Sequence, residues 1–292
     1  DQAVSYYLAA LGVPYRPHGY LNSMELYGWL IHDRLATLYA KIGAKDLAKE
    51  QWLKCLKFDD VDKRVLSNIT YFYETPKISI VVPTCRPEGF IRLQKSIEEN
   101  TFYPNWEIIK MDGEGTAVEK FNEGVNCATG DLIVFMADDT EATLGWLIRA
   151  FVCLQEHLNG RGAVIFNDGH WEGTIAGHFL ASKDLKDDLG GELWHSGYKH
   201  NGVDVEMFCR LTAKKQIIYE PIAKIIHHHY YSATEGATKD KRDKWSDKVL
   251  EWALKDRRLL IRRLYELGLE SDAKRYEEWF REYYPGISLV EE

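Results

Sequence analysis

From residue 76 onward the chain alternates two patterns. Short runs of β-branched and other apolar residues are each followed by a stretch whose apolar positions recur every three or four residues. KISIVVPT (77–84) precedes FIRLQKSIEEN, WEIIKMDG (106–113) precedes AVEKFNEGVNCA, and DLIVFMA (131–137) precedes a helical stretch from Leu147 to about Leu158. AVIFND (163–168) reads as a further strand and IAGHFLAS (175–182) as a candidate one. Strands alternating with helices predict an α/β fold, a mostly parallel, Rossmann-like sheet flanked by helices with right-handed crossovers. Ligands bind such sheets beyond the carboxyl ends of the strands. Three polar clusters, Thr84-Cys85-Arg86, Asp112-Gly113-Glu114 and Asp138-Asp139, therefore converge on one edge.

The flanks differ. Residues 1–75 carry helical spacing with no strand-like run. Within them Leu35, Ala36, Tyr39, Gly43, Ala48, Trp52 and Cys55 fall at the spacing of a tetratricopeptide repeat, with Asp60 where a proline usually stands. Residues 4–11 and 62–73 supply possible flanking helices, since one repeat cannot bury its own face. A hairpin capping the main domain and a peptide-binding repeat, with a protein partner, both stay open. Past Ser232 the charged EGATKDKRDK leads into VLEWALKDRRLLIRRLYELG and SDAKRYEEWFREYY, a helical hairpin expected to pack back on the sheet. Its Arg257-Arg258 and Arg262-Arg263 pairs read as a solvated face, with phosphate or membrane contact the alternative. Expected units are thus a helical segment (1–75), an α/β domain (76–235), and a lid plus helical hairpin (236–292).

Composition narrows the class. With 45% apolar and 28% charged residues the chain is ordinary for a soluble protein, and a net charge of −8 provides no basic field, which makes nucleic acid the lesser partner. Five dispersed cysteines lack zinc spacing and read as thiols of a reducing compartment. No membrane-length apolar run or signal peptide is seen, so the expected location is cytoplasmic. The first residue is not Met, and an anchor lost with a trimmed start, or a peripheral membrane position, stays open.

The run ending in Asp138-Asp139 raises the central chemical question. A doubled carboxylate after a strand can be a turn or a helix cap. At a nucleotide-binding edge it acquires another use. A diphosphate needs a divalent cation, Mn²⁺ or Mg²⁺, and the cation needs oxygen ligands. One Asp can hold the metal and its neighbour a ribose, while Asp112 accepts from the imide of a base such as uracil.

IVVPTCRPEGFIRLQKSI, WEIIKMDG, FNEGVNCATGDLIVFMADDTE and GVDVEMFCRLTAKKQIIYEPIAKIIHHH resemble, in that order, the successive blocks of family 2 glycosyltransferases of the GT-A fold, over about residues 76–230. The N-terminal segment is similar to tetratricopeptide-like portions fused to some of these enzymes. The resemblance implies an inverting transfer from a nucleoside-diphosphate sugar, UDP-sugar foremost, to an acceptor hydroxyl. Pro83, Thr84 and Arg86 would frame the nucleotide, Asp112 would read the base, Asp138 would contact ribose and Asp139 would bind metal. Departures are Ala137 at the first acidic position of the Asp-x-Asp motif, the lack of a second Asp beside Asp112, and Val203 where Glu often precedes the base.

Asp204 matches the family's general base, although acids at 204 and 206 also suit the first turn of the helix that follows. Of His227-His228-His229, the resemblance implies that one completes the metal shell, His229 first and His227 second. The segment after them resembles a mobile lid, or is an exposed linker. Residues 168–202 are rich in Gly, His and Trp, and there Trp171, His178, Trp194 and His195 are candidates for docking an acceptor of open identity: glycan, protein side chain, lipid-linked sugar or modified nucleobase. Two other classes remain. A helical-repeat adaptor would bind nucleotide without turnover. A nucleotidyltransferase would need a Gly-rich, basic phosphate loop after the first strand, which the sequence lacks.

Overall fold

The computed structural model describes residues 2–13, 28–228 and 247–289. Its centre is a seven-stranded sheet of order β2-β1-β3-β6-β5-β7-β4. Strand β1 (Ile78–Pro83) pairs parallel with β2 (Trp106–Met111) and with β3 (Leu132–Phe135). No helix separates β5 (Ala163–Asn167) from β6 (Phe179–Ser182), so β6 returns antiparallel and joins β3 to β5. The long β7 (Ile217–His227) is parallel to β5, and the three-residue β4 (Thr140–Ala142) closes the edge antiparallel to it, with Thr140 opposite His227. Five strands thus share one direction, and β6 and β4 oppose it. The carboxyl ends of β1, β2, β3, β5 and β7 and the first residues of β6 and β4 lie along one edge.

Alternation along the strands divides the core into two layers. Ile78, Ile80 and Val82, with Leu132, Val134 and Met136, face a cluster that includes Leu93 and Ile97 of α5 (Pro87–Asn100) and Phe151 of α7 (Trp146–Leu158). Val81, Ile133 and Phe135 face the opposite cluster. That cluster contains Phe121 of α6 (Ala117–Cys127), Met207 of α9 (Val203–Ala213), Leu260 of α10 (Asp247–Glu266) and Ala273 of α11 (Glu270–Tyr283). Thr116 and Glu119 start α6 with a reciprocal capping box. Gly124 lets that helix lie close on β1, since a Cβ there would stand 2.4 Å from the Val81 side chain. The C-terminal hairpin packs against α9 in this cluster. Its arginines are not uniformly solvated: Arg263 pairs with buried Glu206, and Arg257 stacks on the Trp279 and Tyr284 rings.

Near the N-terminus α1 (Gln2–Leu11) buries no residue, whereas α2 (Trp29–Lys41) and α3 (Lys45–Cys55) form a hairpin. Leu35, Ala36, Tyr39, Ala48, Trp52 and Cys55 are all buried there, and Gly43 makes the turn with φ of 78°. Buried Asp33 accepts from Trp52 Nε1 (3.0 Å) and from Arg64 (2.7 Å) on α4 (Lys63–Asn68). The same apolar cluster runs on through Val65, Leu66 and Ile69 to Phe151, so the hairpin caps one helical layer of the sheet. The short α8 (Leu185–Asp188) follows β6. Among the described residues no helix is long and apolar enough to cross a membrane.

One side chain ties the cap to the sheet layer. Arg149 of α7 is buried and donates to the carbonyls of Leu56 (3.1 Å), Phe58 (2.6 Å) and Leu144 (2.6 Å). Arg149→Met keeps the stem but removes the donors to three carbonyls, so the urea-derived stability should fall by roughly 3 kcal/mol. A loss under about 0.5 kcal/mol, typical of a surface change, would contradict this role.

Candidate active site at the strand ends

Chain reversal after β3 buries both carboxylates of the Asp138-Asp139 pair, at 1% and 8% exposure. Arg86, at the N-cap of α5, compensates them. Its Nε donates to Asp138 Oδ1 (2.7 Å), its Nη2 also reaches that oxygen, and its Nη1 donates to Asp139 Oδ2 (2.8 Å). The backbone N–H groups of Cys85 and Arg86 donate to Asp138 Oδ2 at 2.8 and 2.7 Å. Gly89 permits this approach, because a Cβ there would lie 2.3 Å from the Asp138 carbonyl oxygen. Asp138 accepts from the 85–86 loop and the Arg86 side chain through both of its oxygens, and Arg86 turns all three guanidinium nitrogens to the acidic pair.

Asp139 differs from its neighbour. Its Oδ1 is buried without a hydrogen bond, 3.6 Å from His227 Nε2 at the end of β7. Burial would push this carboxyl up, but Arg86, His227 and His178 outweigh it and hold the group below its ordinary value. Next to it Asp168, His178 and His227 converge, with one ligand atom from each within 4.8 Å of the others. Asp168 Oδ2 lies 3.3 Å from His178 Nδ1 and 3.4 Å from His227 Nδ1. Asp168 Oδ1 accepts from the N–H groups of His170 (3.0 Å) and Trp171 (3.3 Å). Against the cost of burial, the His178 and His227 contacts depress the Asp168 carboxyl far below the usual range. Burial lowers His227, which favours the neutral, ligating imidazole despite Asp168. Two carboxylates and two imidazoles, with an orphaned buried oxygen among them, are a donor set that fits a divalent transition metal.

Around this cluster Thr84 donates its N–H to the Met111 carbonyl (2.8 Å), which joins the ends of β1 and β2 where Pro83 closes the strand. Asp112 is exposed and pairs with Lys110 at 2.8 Å. Lys120 of α6, passed over in the sequence, is buried with its Nζ 3.4 Å from the Thr84 carbonyl. Asp204 opens α9 behind Gly202, is half-buried, and its Oδ1 accepts from the Val205 N–H at 2.9 Å. Its carbonyl accepts from Ala176, two residues before His178, at 3.4 Å. Burial pushes the Asp204 carboxyl up; backbone N–H groups and then His200 and His178 limit the rise.

The acceptor candidates separate. Trp171 is 39% exposed on the loop that carries Asp168. Trp194 is corrected: at 4% exposure it is enclosed by Phe121, Phe135 and Phe179 and has no face for a sugar. His178 is buried and stands in the cluster with Asp168 and His227. His195 is half-buried over Tyr198, its Nδ1 accepting from the Gly197 N–H at 3.1 Å. His228 donates its N–H to the Asp139 carbonyl and pairs with Glu141 at 2.6 Å. His229 and the lid-like segment lie outside the described residues. Asp168 is the member of this cluster that the sequence reading passed over, although it ends a strand at the same edge as the three clusters named above.

No protein-family model and no curated protein matches the chain. Solved structures with related architecture include a mannosyltransferase from Pyrobaculum calidifontis in complex with GDP-Man and Mn²⁺, at 15% identity and a TM-score of 0.48, covering 81% of this chain and 75% of that one. S. aureus TarS 1-349 in complex with UDP matches at 13% identity and a TM-score of 0.39, over 49% of this chain and 57% of that one. GalNAc-T7 with UDP, GalNAc and Mn²⁺ matches at 10% identity and a TM-score of 0.43, over 53% of this chain and 44% of that one. The chain thus spans less than two thirds of the latter two.

The cluster predicts acid sensitivity. His227 is lowered in the fold, so below its unfolded value of about 6.5 the unfolded chain takes the proton first and stability declines. Asp168 is lowered too; its contribution is present above an unfolded value of about 4 and is lost at lower pH. Urea midpoints of the metal-free protein should fall as pH drops below about 6.5, and His227→Gln should flatten that first decline. Equal slopes in variant and wild type would refute the assignment.

Proposed function

We propose that the chain is a metal-dependent inverting glycosyltransferase of the GT-A type, moving a sugar from a nucleoside-diphosphate sugar to an acceptor hydroxyl. The observation that carries this reading is one sheet edge bearing both a carboxylate–imidazole cation pocket and, beside the His178 loop, a carboxylate raised by burial at Asp204. A binding module needs the first feature and has no use for the second. The order of sequence blocks resembling family 2 enzymes supports the same reading.

Asp139, Asp168, His178 and His227 would hold the cation, and two imidazoles in the set favour Mn²⁺ over Mg²⁺. Bound there, the metal supplies charge neutralisation for the departing diphosphate. Asp204 takes the proton of the acceptor hydroxyl as its oxygen attacks the anomeric carbon, and a carboxylate raised above its ordinary value by burial is the stronger base. One base and one displacement give inversion. Asp112 accepts from the N–H of the base, with UDP-sugars as the first donors to try, and exposed Trp171 supplies a ring on which an acceptor sugar stacks. Arg86 neutralises the acidic pair and so keeps Asp139 ionised for the cation.

A thermal-shift panel of UDP, GDP, dTDP and CDP with Mn²⁺ should give stabilisation by one nucleotide of about 2–3 kcal/mol at 100-fold excess over its dissociation constant. EDTA or Asp139→Ala should abolish it. Asp204→Asn should keep this shift while metal-dependent release of nucleoside diphosphate from the donor falls about 100-fold or more. Absence of a shift with all four nucleotides, or full turnover by the Asn variant, would sink the metal site or the base respectively.

A further inference from the structure

We infer that Asp256 and Arg263 of α10 are positioning residues for Asp204, which makes the C-terminal hairpin part of the catalytic unit; the inference rests on Asp204 being the base. Among the described residues the hydrogen bonds to the Asp204 side chain come from its own local backbone, Val205 N–H foremost at 2.9 Å, so its direction is set by the backbone that carries it. That backbone is held from α10 on both sides. Upstream, three successive N–H groups point into one carboxylate: Lys199 N to Asp256 Oδ1 at 2.9 Å, and His200 N and Asn201 N to Asp256 Oδ2 at 2.7 and 2.8 Å. Asp256 is 2% exposed, so water is a poor substitute for these donors.

Downstream, Glu206 is buried two residues beyond the base. It accepts from Arg263 Nε (2.6 Å) and Nη2 (2.8 Å), from the Tyr198 hydroxyl (2.7 Å) and from Arg210 (3.2 Å). Between the two anchors Leu260 lies against Gly202, where a Cβ would stand 3.4 Å from its Cδ2. Positions 256, 260 and 263 share one face of α10. That face therefore meets the chain before, at and after the turn that presents Asp204. Leu260 and Leu264 supply the apolar contacts of the same helix, both in the core cluster. The buried carboxylate and guanidinium add directional contacts that hold residues 198 to 206 in one arrangement.

The test uses the full chain with Mn²⁺ and three variants, Asp256→Asn, Arg263→Met and Arg263→Lys. Release of UDP from UDP-glucose, UDP-GlcNAc and UDP-galactose, with water as acceptor, gives kcat and KM; calorimetry gives UDP affinity; hydrogen exchange follows residues 199–206. Asp256→Asn and Arg263→Met should lower kcat about 10- to 100-fold with KM and UDP affinity held within about twofold. Exchange at 199–206 should rise about tenfold in both, and Arg263→Lys should recover part of kcat. Arg258→Ala, which removes the α10 contact to the Ser288 carbonyl, should leave kcat unchanged. Should Asp256→Asn not fold, the Arg263 pair decides. Unchanged kcat in folded variants, or a loss matched by weaker UDP binding, would overturn the positioning role. A wild type that binds UDP but releases none from any of these donors would overturn the base assignment instead, and the exchange data would still separate that failure from a free loop at 199–206.

Discussion

Two adjacent carboxylates buried at the end of a central strand repel each other and lose hydration, and the site at the sheet edge depends on how this chain compensates them. Arg86 does so from the N-cap of α5, joined by two backbone N–H groups. The compensation is unequal. Asp138 is saturated and fixes the loop after β1, while Asp139 keeps one buried oxygen without a hydrogen bond, facing His227. Loss of either partner would leave an uncompensated buried charge, which costs far more than the pair contributes. The arrangement thus divides the doubled charge into a structural half and a chemical half.

The two faces of the sheet serve this edge in different ways. On one face α5 carries the arginine, and the N-terminal hairpin is joined to α7 through Arg149, which gives that layer a rigid backing. On the other face α6 brings Lys120 beneath the Thr84 carbonyl, and α9 brings Asp204 to the loop preceding His178. Antiparallel β6 is what brings the Asp168–His178–His227 cluster together. A strand returning between β3 and β5 starts, rather than ends, at this edge, and so places His178 beside Asp168, which has His227 on its other side.

Strands β1, β2, β3 and β5 were legible because each is a run of β-branched or other apolar residues bounded by polar breaks, and the helices between them followed from spacing. Three-residue β4 was not, since it exists only by pairing with β7. Asp139 and His227 were found from local signals, a strand end and a histidine run. Asp168 had the same signal and was passed over, and His178 drew an acceptor role because its partners lie on two other strands. Trp194 misled for a related reason. A tryptophan in a Gly-rich loop reads as a sugar platform until three phenylalanines from separate elements close around it. Arg263 sits in a charged helix that reads as solvated, and only the fold brings Glu206 beneath it.

The central claim is that Asp139, Asp168, His178 and His227 form one cation centre at the carboxyl edge of the sheet. Anomalous diffraction from a crystal grown with UDP and Mn²⁺ tests it most directly. The account predicts a manganese peak within bonding distance of Asp139 and of the Asp168–His178–His227 group, with the diphosphate on its open side. UDP bound at this edge without a peak, or a peak held elsewhere in the molecule, would contradict it.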